Sequence, residues 1–224
     1  MLTIANLTVS IAAVPVLREV DLEVTSGQMC GLMGRNGAGK TTCMRSIMGL
    51  IPVRSGGVVF EGVDLLARPA HHRAALGIGY MPEDRRLVPE LSVEENLLVP
   101  AWALRLDDWT ARLKWVYGLM PEVAGMASRK AMQLSGGQQK LAALARALIC
   151  GRALLLLDEP FEGVAPALAR RLAEVLSDLK AEGLSVLVSE SDSTHSADLT
   201  DALYVIERGQ VHQRTAVAAT NDQG

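Results

Sequence analysis

Cysteine is scarce in this 224-residue chain, with three residues, Cys30, Cys43 and Cys150, and no CxxC pair. Such spacing excludes a disulfide scaffold and a Cys-rich metal knuckle. It fits buried thiols in a reducing compartment. Aromatic residues make up only 4%, too few for the stacked platforms that grip single-stranded nucleic acid. A basic surplus is also missing: 22 Lys and Arg face 25 Asp and Glu, for a net charge of −3. That balance argues against a nucleic-acid binder. Long apolar runs are absent as well. Runs such as Leu97 to Leu104 and Ala153 to Leu157 fall short of the ~20 residues of a membrane-spanning helix. The apolar opening reaches Arg18 before any basic side chain, so it lacks the positive start of a signal peptide and reads as strand. Any membrane contact is expected to come through a partner.

What is present is an apolar fraction of 49%, enough for one large domain with a buried core. No internal repeat or low-complexity linker divides it. Leu2-Thr3-Ile4 and Val20 to Val24 read as strands, with a turn at Ser26-Gly27 before the apolar run Gln28 to Met33. Ser92-Val93-Glu94-Glu95 fits a capping box that opens a helix, and Pro100 is expected to end it. Asp107 or Asp108 caps the next helix, whose stripe holds Trp109, Leu113, Val116, Tyr117 and Met120, with Pro121 as its stop. A helix carrying Leu141, Leu144 and Leu148 closes at Gly151. Ala153 to Leu157 then reads as a strand covered on both faces. Pro166 starts a helix that Gly183 ends, Leu184 to Ser189 is another buried strand, and Arg208-Gly209 turns a hairpin.

Three segments carry chemistry. Gly34-Arg35-Asn36-Gly37-Ala38-Gly39-Lys40-Thr41-Thr42 matches GxxxxGK[ST] between a strand and a helix. Its glycines let backbone N–H groups turn inward as an anion nest, Lys40 reaches outer phosphates, and the Thr41 hydroxyl suits Mg²⁺. Leu154 to Leu157 ends in Asp158-Glu159, at the sheet edge where ligands bind. Asp158 suits Mg²⁺, and Glu159 suits a water aimed at the γ-phosphate. Upstream of this pair lies Leu134-Ser135-Gly136-Gly137-Gln138, a second anion-binding helix start. It needs a phosphate, yet this chain's own phosphates already belong to Lys40.

The combination resembles the ATP-binding subunits of ABC transporters over nearly the whole chain. Gly79-Tyr80-Met81-Pro82-Glu83-Asp84-Arg85-Arg86, Leu91 to Leu97, Leu134 to Leu148, Glu162-Gly163 and Ala165-Pro166 narrow the likeness to the second-type ATPase of branched-chain amino acid importers. The resemblance implies an α/β P-loop NTPase with a RecA-like core. Residues 1–87 and 138–224 would form the core with an antiparallel β subdomain, and 88–137 a helical subdomain. It also implies ATP with Mg²⁺ and a head-to-tail pair with a second ATPase, identical or different. Ser135, Gly136, Gly137 and Gln138 would then close over the partner's nucleotide. Permease subunits, a periplasmic or extracellular binding protein and the cytoplasmic face of a bacterial membrane complete the implied setting, with no nucleic acid.

Departures from the family pattern follow. Glu83 stands where most members carry glutamine, and it can serve Mg²⁺ or its waters. The adenine-stacking aromatic has no counterpart, so contact is expected from Ile11 or Val16. Ser191 occupies the histidine switch position, with a hydroxyl but no charge, and His195 reads as a helix-surface residue. Phe161 replaces a small polar residue in the turn at the dimer seam. His71-His72-Arg73 reads as a solvated helix start, and Trp102 as lining of a groove for a cytoplasmic permease helix. Importers of urea or short amides share much of the pattern. A regulatory ATP-binding subunit with little hydrolysis, a soluble ABC ATPase on ribosomes or DNA, and a nucleoside kinase are the alternatives.

Overall fold

The computed structural model describes residues 1–191 and 198–214. His195 therefore lies outside the described residues. In chain order the elements are β1 (Leu2–Ile11), β2 (Val14–Val24), β3 (Met29–Met33), α1 (Lys40–Ile47), β4 (Ser55–Phe60), β5 (Val63–Asp64), α2 (His72–Ala75), β6 (Ile78–Met81), α3 (Val93–Leu104), α4 (Trp109–Leu119), α5 (Pro121–Ala124), α6 (Gly136–Cys150), β7 (Leu154–Asp158), α7 (Pro166–Ala181), β8 (Ser185–Glu190), β9 (Ala202–Glu207) and β10 (Gln210–Arg214).

Among the described residues, two sheets form. One runs β2-β1-β4-β5 and is antiparallel; the other runs β10-β9-β3-β8-β7-β6. In the second sheet β9, β3, β8, β7 and β6 are parallel, and β10 returns antiparallel along β9. The strand Leu154 to Leu157 is apolar throughout because both of its faces are covered. Leu154 and Leu156 point to a core shared with β1, β2, β4 and α1. Leu155 and Leu157 point to a second core beneath α3, α4, α6 and α7. The result is three layers around one parallel sheet, as expected of an α/β P-loop NTPase.

Local signals explain most boundaries. Ser92 and Glu95 form both bonds of the capping box at α3. Gly183, at φ +79°, closes α7, with Leu184 N–H donating to Leu179. Arg208 and Gly209 sit at φ 48° and 79°, the two left-handed positions of a tight hairpin.

Two expectations about the helical part are corrected. Pro100 does not end α3 but lies inside it. The helix stops instead at Arg105, at φ 53°, where Leu106 N–H donates to the Ala101 carbonyl and Arg105 N–H to Trp102. That closure satisfies the last carbonyls, and the buried side chains of Leu97, Leu98 and Ala101 hold the helix across the bond that proline removes. Asp108 takes the N-cap position of α4, but its carboxylate does no capping. Both of its oxygens accept from Arg152, at 2.6 and 2.7 Å, and a bidentate guanidinium outcompetes one backbone N–H.

Arg73 is the third correction. It is not solvated but 2% exposed. Its guanidinium donates to the carbonyls of Ile47, Leu65, Arg68 and Pro69, so the buried charge is matched by four acceptors. Phe161 is likewise buried, within the core beneath the helices. All three cysteines are buried. Burial pushes the Cys43 thiol up to about 12, helped by the Asp158 charge, so it stays protonated and inert.

Candidate functional site

Four neighbouring parallel strands end on the same sheet edge. Register pairs Met33 with Glu190, Ser189 with Asp158, and Leu157 with Met81. The loop from Gly34 to Gly39 therefore leaves β3 beside Ser191 after β8, Asp158-Glu159 after β7, and Glu83 after β6. Residues far apart in sequence meet because strand order, not chain order, sets their distance.

The loop itself is shaped by backbone. A Cβ at Gly34 would lie 2.3 Å from the Ile206 carbonyl oxygen, so the close approach to β9 requires glycine. Gly37 and Gly39 sit at φ 82° and 116°. Gly39 is the N-cap of α1 and gives it no side-chain cap. The first N–H groups of that helix thus point at the loop's concavity with a positive helix end behind them, a seat for phosphate. A cavity of about 480 Å³ opens there, lined by Asn36, Gly37, Gly39, Lys40, Thr41 and Thr42, with Val16, Glu83 and Glu159 on its rim. Arg35 contributes its carbonyl, which accepts from Lys40 at 3.2 Å and from the Ala38 N–H at 3.0 Å.

Lys40 is 5% exposed. Its ammonium lies 2.9 Å from Glu159 Oε1, donates to the Gly34 carbonyl, and reaches Ser191 Oγ at 3.4 Å. Ser191 Oγ lies 2.8 Å from Asn36 Oδ1 and 3.0 Å from Glu159 Oε1, so its single proton serves one acceptor at a time. Ser191 is therefore knitted into the site beside Lys40, Asn36 and Glu159.

Asp158 is fully buried. Thr41 Oγ1 donates to its Oδ1 at 3.1 Å and Ser189 Oγ at 2.9 Å, while Tyr80 OH donates to Oδ2 at 3.3 Å. Burial raises its pKa, and these three hydrogen bonds pull the other way. Burial and then the Asp158 charge likewise push the Tyr80 phenol up, so it remains a donor. Glu83 faces Asp158, Glu162 and Glu159, and burial together with those charges raises its carboxyl. A carboxylate cluster of this kind, beside a threonine hydroxyl, is a hard-oxygen set that suits a divalent cation arriving with phosphates. Among the described residues, no group of three or more His, Cys, Asp or Glu forms a self-sufficient metal cage. Magnesium needs none, since it keeps waters and phosphate oxygens as ligands.

One expected contributor lies elsewhere. Ile11 is 46% exposed on the β1–β2 hairpin and is not in the cavity lining, whereas Val16 is. The cause is the two-residue turn Ala12-Ala13, both at positive φ, which pairs Ile11 with Val14 at the hairpin's tip. Ser135, Gly136, Gly137 and Gln138 also stand apart from the cavity. Ser135 Oγ accepts from the Gln138 N–H at 3.3 Å, and Gln138 Oε1 accepts from the Ser135 N–H at 3.1 Å. This reciprocal cap starts the 15-residue α6, leaves the serine proton free to donate, and presents Ser135 and Gly136 exposed.

Residues that the sequence reading passed over complete the site. Ser189 donates to Asp158 and its Oγ accepts from the Glu159 N–H at 3.1 Å; only strand register reveals it. Lys140 donates to the turn after Glu159. Its signal was a lysine four and eight residues before Leu144 and Leu148, on a face otherwise apolar. Beside the site runs a groove of about 530 Å³, whose lining includes Tyr80, Pro82, Arg86, Val99, Pro100 and Arg146. Trp102 does not line it; it stands 51% exposed one turn away on α3.

The chain is similar to known proteins over nearly its whole length. The ABC transporter family model matches residues 17–162, and an AAA domain model, described as a putative AbiEii toxin of a type IV toxin–antitoxin system, matches residues 127–201. The high-affinity branched-chain amino acid transport ATP-binding protein BraG of Pseudomonas aeruginosa is 33% identical over 99% of this chain and 96% of its own length. The lipopolysaccharide export system ATP-binding protein LptB of Escherichia coli is also 33% identical, over 94% of this chain and 88% of its own. Among solved structures, the ADP conformation of an ATP-binding cassette of an ABC transporter superposes with a TM-score of 0.81 and 28% identity, covering 95% of this chain and 89% of that one. A dimeric bacterial ABC transporter cassette gives 0.85 at 23% identity, covering 96% and 98%, and shares the fold. Phosphate loop, acidic pair and capped Ser-Gly-Gly helix all lie within the matched span, and the chain belongs to the ABC transporter ATP-binding family as an ATP-hydrolysing subunit.

Proposed function

We propose that this chain powers an ABC importer for branched-chain or other hydrophobic amino acids, working on Mg²⁺-ATP in a head-to-tail pair with a second ATPase. One observation carries the reading. Lys40, Thr41 and Glu159 line one cavity, with Asp158 buried behind Thr41, while Ser135 and Gly136 stand exposed outside it. A chain so built holds half of each of two composite pockets. The dimeric cassette that shares this fold supports the pairing.

In this reading the loop N–H groups and Lys40 take the phosphates. Lys40 leaves Glu159 to do so, which frees the carboxylate. Glu159 then accepts a proton from the attacking water, the bond from the γ-phosphorus to the bridging oxygen breaks, and ADP and phosphate result. Thr41 and Asp158 would hold magnesium, with Glu83 near its waters; bound there, the ion neutralises charge on the phosphates. Ser191 orients Glu159 and meets the γ-phosphate with a hydroxyl. Val16 supplies apolar contact to the base, with Ile11 farther out on the hairpin. Ser135, Gly136, Gly137 and Gln138 close over the nucleotide of the companion subunit. Residues 88–137 act as the helical subdomain, and the groove bounded by Val99, Pro100 and Arg146 receives a permease helix at the cytoplasmic membrane face. Among the described residues no helix is long and apolar enough to cross a membrane, so that contact runs through the permease. A binding protein on the far side delivers the cargo.

The likeness to BraG supports amino acid import. The equal identity of LptB favours a second reading, in which the same motor serves a lipid export system. Deleting the chain and measuring leucine uptake separates them: lost uptake supports import, and intact uptake with defective outer-membrane lipid supports export. Phosphate release by the purified complex tests the motor itself. Glu159→Gln is expected to lower it by about 100-fold or more, and unchanged turnover removes Glu159 from the mechanism and leaves a regulatory ATP-binding role.

A further inference from the structure

Lys140 is 7% exposed, on the first turns of α6. Burial holds its ammonium below the usual lysine range. A buried charge is costly unless every donor is matched, and an alanine or leucine, the commonest neighbours along this helix, would fill the space without that cost. What the lysine adds is three N–H donors where the following turn offers three acceptors. It donates to the carbonyls of Glu159 at 2.8 Å, Pro160 at 3.2 Å and Glu162 at 2.5 Å.

The first of these carbonyls belongs to the residue that carries the candidate base. Glu159 sits at φ 51°, a backbone state that non-glycine residues rarely keep without outside support. Its N–H donates to Ser189 Oγ at 3.1 Å, and its carbonyl accepts from Lys140. The main chain of this one residue is thus pinned on both sides, from β8 and from α6. From that backbone the side chain aims toward Lys40 and the cavity.

We propose that Lys140 is a positioning residue for Glu159, which ties the rate of hydrolysis to the seating of α6. The helix whose exposed N-cap is Ser135 lies about 7.5 Å from Ser135 to Lys140 along its axis. A shift at the Ser135 end therefore reaches the turn of the chain's own base as a rigid displacement. This inference rests on the role given above to Glu159, and it asks how that carboxylate is aimed.

The test uses the full chain in the complex with which it co-purifies. Lys140→Met and Lys140→Arg are compared with wild type and Glu159→Gln for ATP turnover, for binding of a fluorescent ATP analogue, and for thermal midpoint. Lys140→Met is expected to lower kcat at least tenfold while KM and analogue affinity stay within twofold. Lys140→Arg, which keeps charge and donors, is expected to recover a third or more of the wild-type kcat. An unchanged kcat in Lys140→Met overturns the proposal. Equal losses of affinity and kcat overturn it too, since they mark a general structural role. An arginine variant as slow as the methionine variant places the effect in the packing of the stem and also overturns it. If Glu159→Gln itself turns over like wild type, the role of Glu159 fails first, and that result is distinct from all of these.

Discussion

Lys40 and Glu159, proposed above as the phosphate-binding cation and the base for water, are paired with each other across 2.9 Å, both almost wholly buried. Each occupies the other's place of work. Removing one member of a buried pair leaves an uncompensated charge. Glu159→Gln should therefore lower the thermal midpoint of the nucleotide-free protein, and ATP should restore more stability to the variant than to wild type, because phosphate then supplies the missing anion. An ATP affinity gain of about fivefold, or about 1 kcal/mol, is expected. Calorimetric titration together with melting curves checks both; equal ATP-induced shifts in the two proteins contradict the competition.

The phosphate loop makes two glycines unequal. Gly34→Ala drives a Cβ into the Ile206 carbonyl, so β9 or the loop must move, and ATP binding should weaken by tenfold or more. At Gly37, φ is 82° and nothing lies within 4 Å of an added Cβ; strain alone remains there, about 1 kcal/mol. Gly37→Ala should weaken binding much less than Gly34→Ala in the same titration. A reversed order refutes the steric account.

Arg73 lies outside any catalytic role yet carries a large share of local stability. Arg73→Met removes the donors that serve four carbonyls. A loss of about 3 kcal/mol is expected from the unsatisfied acceptors. Urea unfolding should show a lower midpoint with the slope unchanged, and a loss below ~0.5 kcal/mol would place Arg73 among solvated surface residues after all.

Asp158 sets up a conflict between stability and function. Burial raises its pKa in the folded state, so the unfolded chain releases that proton first as pH rises. Folding stability contributed by Asp158 is thus fully present below its unfolded pKa and is lost as pH rises through the interval up to the raised folded value. Asp158→Asn escapes that loss. Without nucleotide or magnesium, the variant's melting temperature should equal or exceed the wild-type value at neutral pH, and the advantage should shrink toward acid. Its magnesium-dependent ATP turnover should fall by about 100-fold or more. A variant less stable than wild type at every pH would show that its hydrogen bonds outweigh the desolvation.

Val99 and Trp102 test the groove. Val99 lines it and is 38% exposed, and Trp102 is more exposed but turned away. Val99→Glu should block co-purification with permease while leaving ATP-analogue affinity within twofold; Trp102→Ala should leave co-purification intact. Loss of assembly only in the tryptophan variant would move the contact to the outer face of α3.

Much of this molecule could be read before any coordinates. The loop from Gly34 to Thr42, the strand ending at Asp158-Glu159 and the capped start at Ser135 are contiguous segments whose residue types and spacing are themselves the physics: glycines for positive φ, an apolar run for a strand covered twice, a serine and glutamine three apart for a cap. Where a side chain's partner lies far along the chain, local pattern is silent. Nothing beside Arg73 announces the carbonyls of Ile47 and Leu65 that take it inside. Nothing beside Lys140 names the turn at Glu159. Pro100 looks like a stop until the burial of Leu97, Leu98 and Ala101 is known. The amino-acid order by itself determined which chemistry this chain carries, because those motifs act through their own backbone. Only the tertiary structure decided how Lys40, Glu159, Ser189 and Lys140 hold one another, because buried polar groups must find their partners across the fold, wherever strand order brings them.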